Sequence, residues 1–256
     1  MIQDIATSCQ VSEITTRRDL AELEKSGLLV RIHGGAIMSR GVDSLFSFDR
    51  KSLQNKEKKI QICKKAAAFI SENDIIYIDC GTTVYHLIPF LKDFNSLRVI
   101  TNSLPVVSEL QYHTHIKVYL IGGELDPKRK ALYGPLSMLG LEKYRAHKAF
   151  IGASGITIQR GLSSNDEKEA QITLSMARAA SEVYVLCDSS KFEKDAFFKY
   201  ADLSLITSII TDEGITEQTL QLYRKNKINI SFNRTNDKPH RFYKQKTCYT
   251  IIRIRK

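Results

Sequence analysis

Apolar residues follow two alternating patterns through the middle of this chain. Short apolar runs, typical of buried strands, are separated by stretches in which apolar residues recur every three or four positions, as on one face of a helix. The predicted strands are Ile75–Ile78, Leu97–Ile100, Ile116–Ile121, Ala149–Ile151, Val183–Leu186, Leu203–Ile210 and Ile228–Phe232. The predicted helices are Glu57–Ile70 (with Ile60, Cys63, Ala67 and Ile70 on its apolar face), Val84–Leu91, Pro105–Leu110, Glu167–Ala180 and Thr216–Lys225. This alternation predicts an α/β domain with a Rossmann-like, mostly parallel sheet flanked by helices.

The first 38 residues carry a different pattern. Gln3–Gln10 predicts a short helix, Val11-Ser12 a turn, and Glu13–Ser26 a second helix capped by Ser12. Leu28–Ile32 predicts a strand, and His33-Gly34-Gly35 predicts the tip of a wing. Such an arrangement is a winged helix-turn-helix, whose second helix can enter the major groove of DNA.

These patterns divide the chain into four parts. Residues 1–38 are predicted to form the DNA-binding domain, 39–56 a linker without clear periodicity, 57–232 the sheet domain, and 233–256 a basic tail. The tail carries aromatic residues among its basic ones and could touch nucleic acid, but such tails are more often disordered, which is our expectation here.

Charge changes this picture little. The 256 residues carry a formal net charge of +10, which suggests a polyanionic partner. However, acidic and basic residues balance over residues 1–40, and much of the excess lies in the tail. The argument for DNA therefore depends on where the basic side chains stand.

Composition excludes several other classes of protein. No apolar run is long enough to span a bilayer, and no signal peptide begins the chain, so we expect a cytoplasmic protein without a membrane partner. The five cysteines form no C-x-x-C pair, and the histidines have no spacing typical of metal ligands. Neither a disulfide framework nor a metal or other cofactor is therefore predicted.

Polar and glycine-rich residues follow five predicted strands directly. These loops are Asp79-Cys80-Gly81-Thr82-Thr83, Thr101-Asn102-Ser103, Gly122-Gly123-Glu124, Gly152-Ala153-Ser154-Gly155 and Asp188-Ser189-Ser190-Lys191. Ligands of open α/β sheets bind beyond the carboxyl ends of the strands. We expect the five loops to converge on that edge.

The ordered set of motifs resembles the DeoR family of bacterial transcriptional regulators. Val11–Leu20, followed by Leu23-Glu24 and Arg31–Ala36, looks like the DNA-binding domain of that family, and the five strand-end loops resemble its sensor domain. The resemblance implies a regulator, most often a repressor, of a carbohydrate or nucleoside operon. It also implies a homo-oligomer whose sensor domain is similar in fold to ribose-5-phosphate isomerase and coenzyme A transferases, and which binds a phosphorylated sugar or related metabolite.

The sequence departs from the family pattern at three places. The first helix of the family would precede Gln3 and is absent, so either the true start lies upstream or the DNA-binding domain is incomplete. Thr16 stands where the family usually has a buried isoleucine, and the basic tail has no counterpart.

Two sets of candidate residues follow. The predicted DNA contacts are Ser12, Thr15, Arg17, Arg18, His33 and Gly34. The predicted effector contacts are Asp79, Gly81, Thr82, Thr83, Thr101, Asn102, Ser103, Gly122, Gly123, Gly152, Ala153, Gly155, Glu169 and Lys191. In the second set the loop before Val84 offers backbone N–H groups to phosphate, Lys191 offers a cation, and Glu169 accepts hydrogen bonds from sugar hydroxyls.

Alternatives remain for each set. The Arg17-Arg18 pair can be part of a solvated helix face, the His33–Gly35 segment a simple glycine turn, and Glu169 part of an acidic helix N-terminus. Three functions follow from these alternatives: a sugar-phosphate-controlled DNA-binding repressor, which we favour; an isomerase-like enzyme using Glu169 and Lys191; and a sensor that no longer binds DNA. The favoured function assigns no catalytic residue.

Overall fold

The computed structural model describes residues 2–25, 29–32, 35–38 and 47–232. The N-terminal part contains helices α1 (Ile2–Cys9) and α2 (Glu13–Lys25) and strands β1 (Leu29–Ile32) and β2 (Gly35–Met38). The two strands pair antiparallel, with Leu29 opposite Met38 and Ile32 opposite Gly35. Two helices followed by a β-hairpin confirm the helix-turn-helix and wing order predicted from the sequence.

Ser12 sets the start of α2. Its hydroxyl accepts a hydrogen bond from the Thr15 backbone N–H at 3.1 Å, which satisfies one of the otherwise unpaired donors at a helix N-terminus. Thr16 is buried, and its hydroxyl donates to the Ser12 carbonyl at 3.1 Å. The hydroxyl at this departure from the family pattern therefore has a hydrogen-bond partner.

The larger part of the chain forms a seven-stranded sheet in which every neighbouring pair is parallel. Its strands are β3 (Ile75–Ile78), β4 (Leu97–Thr101), β5 (Ile116–Leu120), β8 (Ala146–Ile151), β11 (Ala180–Leu186), β13 (Ser208–Ile210) and β14 (Ile230–Ser231). Their spatial order is β14-β13-β11-β8-β3-β4-β5. This topology confirms the predicted α/β class with a mostly parallel sheet.

Helices cover both faces of the sheet. They are α3 (Ser47–Leu53), α4 (Lys56–Ala67), α5 (Thr82–Tyr85), α6 (Ile88–Leu91), α7 (Leu104–Leu110), α8 (Pro135–Glu142), α9 (Glu167–Arg178) and α10 (Glu217–Lys225). Apolar side chains on the two faces of the sheet form two separate buried clusters, one containing Ile76 and Phe150 and the other Tyr77 and Ile151. Burial on both faces explains why the central strands are continuous apolar runs.

Short antiparallel strands form two further sheets outside the seven-stranded one. β6 (Glu124–Asp126) and β7 (Ala131–Tyr133) form a hairpin, and β9 (Gly155–Thr157), β10 (Gly161–Ser164) and β12 (Phe198–Ala201) form a three-stranded sheet. The Asp126 carboxylate accepts hydrogen bonds from the Lys128 and Arg129 backbone N–H groups and thereby shapes the hairpin tip. None of these strands was predicted, because they are short and polar residues or glycine interrupt their apolar positions.

Several predicted bounds were wrong. The helix predicted over Val84–Leu91 is two short helices, since Pro89 has no N–H to continue the first one. The strand predicted over Leu203–Ile210 begins only at Ser208, and Leu203–Leu205 is a 3₁₀ turn. Helix α8 was not predicted at all.

Two corrections bear on the candidate site. The segment 39–56, predicted as a linker, contains α3, whose Phe48 is buried. The predicted apolar face of α4 was wrong at its first position: Cys63 and Ile70 are buried as predicted, but Ile60 is exposed and Lys59 is buried instead. The tail 233–256 lies outside the described residues.

No helix of the described part of the chain is long and apolar enough to cross a membrane. Within the same residues, no group of three or more histidine, cysteine and acidic side chains is arranged to hold a metal ion. The described cysteines (Cys9, Cys63, Cys80 and Cys187) are free thiols.

Candidate functional site

A cavity of about 250 Å³ lies at the carboxyl ends of the three central strands β3, β8 and β11. Eight of the predicted effector residues line it: Asp79, Gly81, Thr82, Thr83, Gly152, Ala153, Glu169 and Lys191. The cavity is lined by the cations Lys51, Lys59, Lys128, Arg129 and Lys191 and by the carboxylates Asp79, Glu169 and Asp188. Both signs of charge therefore meet in one small space.

Asp79 joins two of the strand-end loops. One carboxylate oxygen accepts the Gly81 backbone N–H at 2.7 Å, and the other accepts the Gly152 backbone N–H at 2.6 Å. A Cβ on Gly81 would lie 2.9 Å from the same carboxylate, so this close approach requires glycine. Burial raises the pKa of Asp79 to about 7, although the two backbone hydrogen bonds oppose that rise.

Glu169 is held in place on two sides. Ser164 donates its hydroxyl to one carboxylate oxygen at 2.7 Å, and the Arg129 guanidinium lies 2.7 Å from the other. Asp166 caps α9 by accepting the Glu169 backbone N–H at 2.9 Å, which fixes the turn that carries this side chain. Arg129 comes from the tip of the β6–β7 hairpin, far from α9 in sequence. The pair is mostly buried and therefore presents a fixed arrangement to a ligand.

The loop after β11 brings Lys191 to the cavity. Asp188 accepts the Ser190 backbone N–H at 3.0 Å and also its hydroxyl, so this carboxylate shapes the 3₁₀ turn Ser189–Lys191. Within the described residues, the Lys191 ammonium makes neither a salt bridge nor a hydrogen bond. It is thus available to an anion in the cavity.

Asp212 supports the same turn from the neighbouring strand. Its carboxylate accepts the Ser189 backbone N–H at 2.6 Å and lies 3.2 Å from the Lys58 ammonium. These hydrogen bonds hold the pKa of Asp212 below its usual value, against the effect of burial.

Lys59 approaches the cavity from α4. Its side chain donates to the Thr82 hydroxyl at 3.0 Å and to the Lys51 backbone carbonyl. Only 5% of the residue is exposed, and this burial lowers the pKa of its ammonium to about 8. A buried ammonium beside a cavity is a strong candidate for contact with an anionic ligand.

Not all five predicted loops reach the cavity. Thr101, Asn102 and Ser103 are buried and do not line it, because the β6–β7 hairpin covers the loop after β4. The Asn102 side chain donates to the Leu132 carbonyl at 3.0 Å, and Ser103 forms a bridge with Ala131.

The glycines after β5 and β8 also have packing roles. At Gly123, which has a φ of +150°, a Cβ would lie 2.3 Å from the Tyr133 carbonyl oxygen. The Ser137 hydroxyl donates to the Gly122 carbonyl at 2.6 Å. At Gly155 a Cβ would lie 2.3 Å from the Lys194 carbonyl oxygen. None of these three glycines lines the cavity.

The second candidate surface is helix α2. Arg17 and Arg18 are exposed and pair within the helix, Arg17 with Glu13 at 3.2 Å and Arg18 with Glu22 at 3.6 Å. Such exposed pairs contribute little to stability, so DNA phosphates can replace the carboxylates at low cost. Both arginines therefore remain candidates for DNA contact.

Ser12 and Thr15 stand at the start of the same helix. Their hydroxyl oxygens lie 2.9 Å apart, and Ser12 already serves as the helix cap. Both remain exposed and can still reach a DNA backbone. His33 and Gly34, the predicted wing tip, lie outside the described residues.

Sequence reasoning missed several residues of both surfaces. Lys59 stands three and four positions before the buried Ile62 and Cys63, and a lysine at that spacing was a usable signal. Arg129 follows Asp126-Pro127, a typical turn sequence that could have indicated a hairpin tip. On α2, the candidate set left out Ile14, which is 78% exposed.

Two family models match the chain in the order of these two surfaces. The model described as DeoR-like helix-turn-helix domain matches residues 1–40, and the model described as DeoR C terminal sensor domain matches residues 54–213. The chain belongs to the DeoR family. It is a DNA-binding transcriptional regulator, and the family resemblance predicted from the sequence is confirmed.

Named DeoR-type relatives cover most of this chain. It is 36% identical to a lactose phosphotransferase system repressor of Staphylococcus epidermidis, over 84% of this chain and 86% of that protein. It is 35% identical to the uncharacterized HTH-type transcriptional regulator FruR of Bacillus subtilis, over 82% of this chain and 84% of that protein. An L-fucose operon activator of Haemophilus influenzae is 33% identical, over 86% of this chain and 88% of that protein.

Among solved structures, ribose 5-phosphate isomerase A from Neisseria gonorrhoeae is 18% identical, with a TM-score of 0.40. The superposition covers 56% of this chain and 55% of that chain.

Proposed function

We propose that this DeoR-family regulator is a repressor of a carbohydrate-utilisation operon and that its effector is a phosphorylated sugar bound in the cavity. The observation that carries the proposal is the lining of the cavity, where cations and carboxylates stand together. A sugar phosphate has a dianionic end and a polyhydroxyl end, and these need opposite kinds of partner.

The phosphate end would lie against the β3 and β11 loops. Lys191 and Lys59 supply ammonium groups, and Thr82 and Thr83 supply hydroxyls. Because α5 is only one turn long, its dipole adds little, and the side chains and backbone N–H groups carry the interaction.

The sugar end would lie against the β6–β7 hairpin and α9. Carboxylate oxygens of Glu169 accept hydrogen bonds from sugar hydroxyls, and Arg129 donates to hydroxyl oxygens. Since Ser164 and Arg129 already orient Glu169, little side-chain entropy would be lost on binding.

The choice of a repressor rests on relatives. Among them are the lactose phosphotransferase system repressor and the putative aga operon transcriptional repressor of Escherichia coli O157:H7, which is 30% identical over 88% of this chain and 84% of that protein. We further propose that the protein is cytoplasmic, where a bacterial regulator meets its operator. We also propose a homo-oligomer, because two recognition helices on adjacent half-sites are the usual geometry of helix-turn-helix regulators. Light scattering of the purified protein would measure its oligomeric state.

We do not propose an enzyme. Both matching family models are those of transcriptional regulators, and the named relatives are HTH-type regulators and operon repressors. An isomerisation assay with pentose and hexose phosphates tests this point: turnover that is abolished by Glu169→Gln would overturn it.

A thermal-shift screen tests the effector class. Pentose and hexose monophosphates are compared with the same sugars without phosphate and with inorganic phosphate. A ligand at a hundred times its dissociation constant stabilises by about 2.7 kcal/mol, so the correct sugar phosphate should raise Tm by several degrees. Stabilisation by the free sugar alone, or by none of the compounds, would contradict the proposal.

A further inference from the structure

Helix α3 lies between the two functional parts of the chain in sequence and lines the cavity in space. Residues 39–46 join it to β2, and α4 begins only a few residues after it. Three of its residues (Ser47, Phe48 and Lys51) line the cavity. A ligand in the cavity would therefore lie against the helix that leads to the DNA-binding domain.

Specific contacts hold α3 on the sensor domain. The Lys130 ammonium pairs with the Asp49 carboxylate at 2.7 Å, and the Phe48 ring packs edge-on against Tyr85 at 5.5 Å. At the other end, ring nitrogen Nε2 of His86 lies 3.0 Å from the Ser52 carbonyl oxygen.

The Lys59 contact differs from these because the same ammonium lines the cavity. Its Nζ donates to the Lys51 carbonyl, one of the last carbonyls of α3, which have no partner inside the helix. Its other partner is the Thr82 hydroxyl, in a loop that also lines the cavity. Lys59 is thus shared between the helix and the space that a ligand would fill.

We propose that Lys59 binds the anionic group of the effector and, in doing so, releases the Lys51 carbonyl at the end of α3. Lys59 becomes the residue through which occupancy of the cavity reaches the segment that leads to the DNA-binding domain. This inference rests on the proposed function, because it requires an anion in the cavity.

The present partners of Lys59 favour such an exchange. Both are neutral oxygens, whereas a phosphate oxygen carries negative charge, so the hydrogen bond to phosphate gains Coulomb attraction between opposite charges. Burial already lowers the pKa of Lys59 to about 8, with Asp188 raising it and Lys191 and Lys51 lowering it. An arriving anion would therefore stabilise the charged form of a side chain that has no salt bridge among the described residues.

The effect on α3 follows from its length. A helix of seven residues has few internal hydrogen bonds and depends on contacts at its ends. Loss of the Lys59 contact leaves the His86 and Lys130 contacts in place, so α3 is loosened at its C-terminal end and not detached.

Hydrogen exchange of the full-length protein tests the proposal. The variants are Lys59→Met, which keeps the length of the side chain and removes its charge, and Lys59→Arg, which keeps the charge. Lys64→Met, on the exposed face of the same helix, is the matched control. The probes are inorganic phosphate and the sugar phosphate that gives the largest thermal shift with the wild type.

In the wild type, the probe should raise Tm and speed amide exchange in residues 47–53. Lys59→Met should exchange fast in that segment without probe, respond little to it, and bind it about tenfold to a hundredfold more weakly. Lys59→Arg should recover most of the binding, and Lys64→Met should behave as wild type.

Each other outcome overturns a distinct statement. If no probe stabilises the wild type, the proposed effector site is wrong and the shared role of Lys59 falls with it. If the probe stabilises wild type and Lys59→Met equally, the site stands and Lys59 does not bind the anion. If Lys59→Met loses binding while exchange in residues 47–53 never responds to the probe, Lys59 binds the anion without acting on α3.

Discussion

Helix α2 and the sensor cavity each pair an arginine with a glutamate, and the two pairs differ in their surroundings. Arg17 and Glu13 on α2 lie 3.2 Å apart, with side chains 58% and 39% exposed. Arg129 and Glu169 in the cavity lie 2.7 Å apart, with side chains 23% and 17% exposed. Water screens the first pair, and the second is held by protein on several sides. The candidate DNA contacts are thus adjustable, whereas the cavity proposed to hold the effector is formed in advance.

The apolar residues of the two regions repeat this contrast. In the N-terminal part, Ile14, Val30 and Ile37 are about half exposed or more. In the sheet, Ile76 and Ile78 are fully buried. Substitutions in the sheet region should therefore change stability most, and substitutions on α2 should change DNA affinity most.

The largest effect on stability is expected for Asp79→Ala. The substitution leaves the half-buried Gly81 and Gly152 N–H groups without their carboxylate acceptor, which should cost about 2 to 4 kcal/mol of unfolding free energy. Urea denaturation would measure the loss. Asp202→Ala, which removes an exposed carboxylate, is the control and should change stability by less than about 0.5 kcal/mol. An equally small effect of Asp79→Ala would remove the argument for a preformed cavity.

The pH dependence of the unfolding free energy tests the burial of the Asp79 carboxylate. Because its pKa rises to about 7 on folding, its favourable contribution is complete at low pH and is lost as pH rises through 7. The difference in unfolding free energy between the neutral variant Asp79→Asn and wild type should shift by about 1 to 3 kcal/mol in favour of the variant from pH 5 to pH 8. Denaturation at both pH values measures this difference, and a difference independent of pH would contradict the pKa direction.

The next largest effect is expected on operator affinity. The double variant Arg17→Ala, Arg18→Ala should weaken operator binding by about 1 to 3 kcal/mol for each arginine that contacts a base, with unchanged unfolding free energy. Fluorescence anisotropy with an operator selected from random DNA would measure it. Lys25→Ala, at the far end of α2, should have little effect. Unchanged binding by the double variant would exclude α2 as the recognition helix.

A smaller effect is expected for Arg129→Met. The variant removes a donor to the sugar and leaves Glu169 with Ser164 alone, so sugar phosphate affinity should fall about tenfold. Calorimetric titration would measure the dissociation constant. Arg160→Met, which removes an exposed arginine paired with Asp195 outside the cavity, should bind as wild type. Equal loss in both variants would mean that the effect is unspecific.

The smallest effect is expected for Glu22→Gln. Loss of an exposed ion pair with Arg18 should change stability by less than about 0.5 kcal/mol, while removal of a negative charge should slightly strengthen DNA binding. Thermal unfolding and anisotropy measure the two changes. A loss of more than 1 kcal/mol would show that the pair on α2 resembles the pair in the cavity.

Much of the sheet could be predicted from the sequence, because strands buried on both faces leave continuous apolar runs such as Ile75–Ile78. The loops after β3, β8 and β11 were predicted to line a common edge, and they do line one cavity. The loop Thr101–Ser103 was also assigned to that edge, but the β6–β7 hairpin covers it, and no local pattern indicates a cover from elsewhere in the chain.

The rest of the cavity depends on contacts between distant residues. Arg129 meets Glu169 only because a hairpin tip folds over the start of α9. Lys59 was hidden in a helix whose apolar face was placed one position away, at Ile60. The sequence around each residue carries a local signal, but the contacts that bring both side chains to the cavity form only when the elements pack together.

The central claim is that occupancy of the cavity controls DNA binding. The direct measurement is operator affinity with and without a saturating concentration of the stabilising sugar phosphate, in wild type and in Arg129→Met at the same concentration. We predict a shift of at least about fivefold in the wild type and a much smaller shift in the variant. An operator dissociation constant that stays unchanged in the wild type while the ligand is bound would contradict the account.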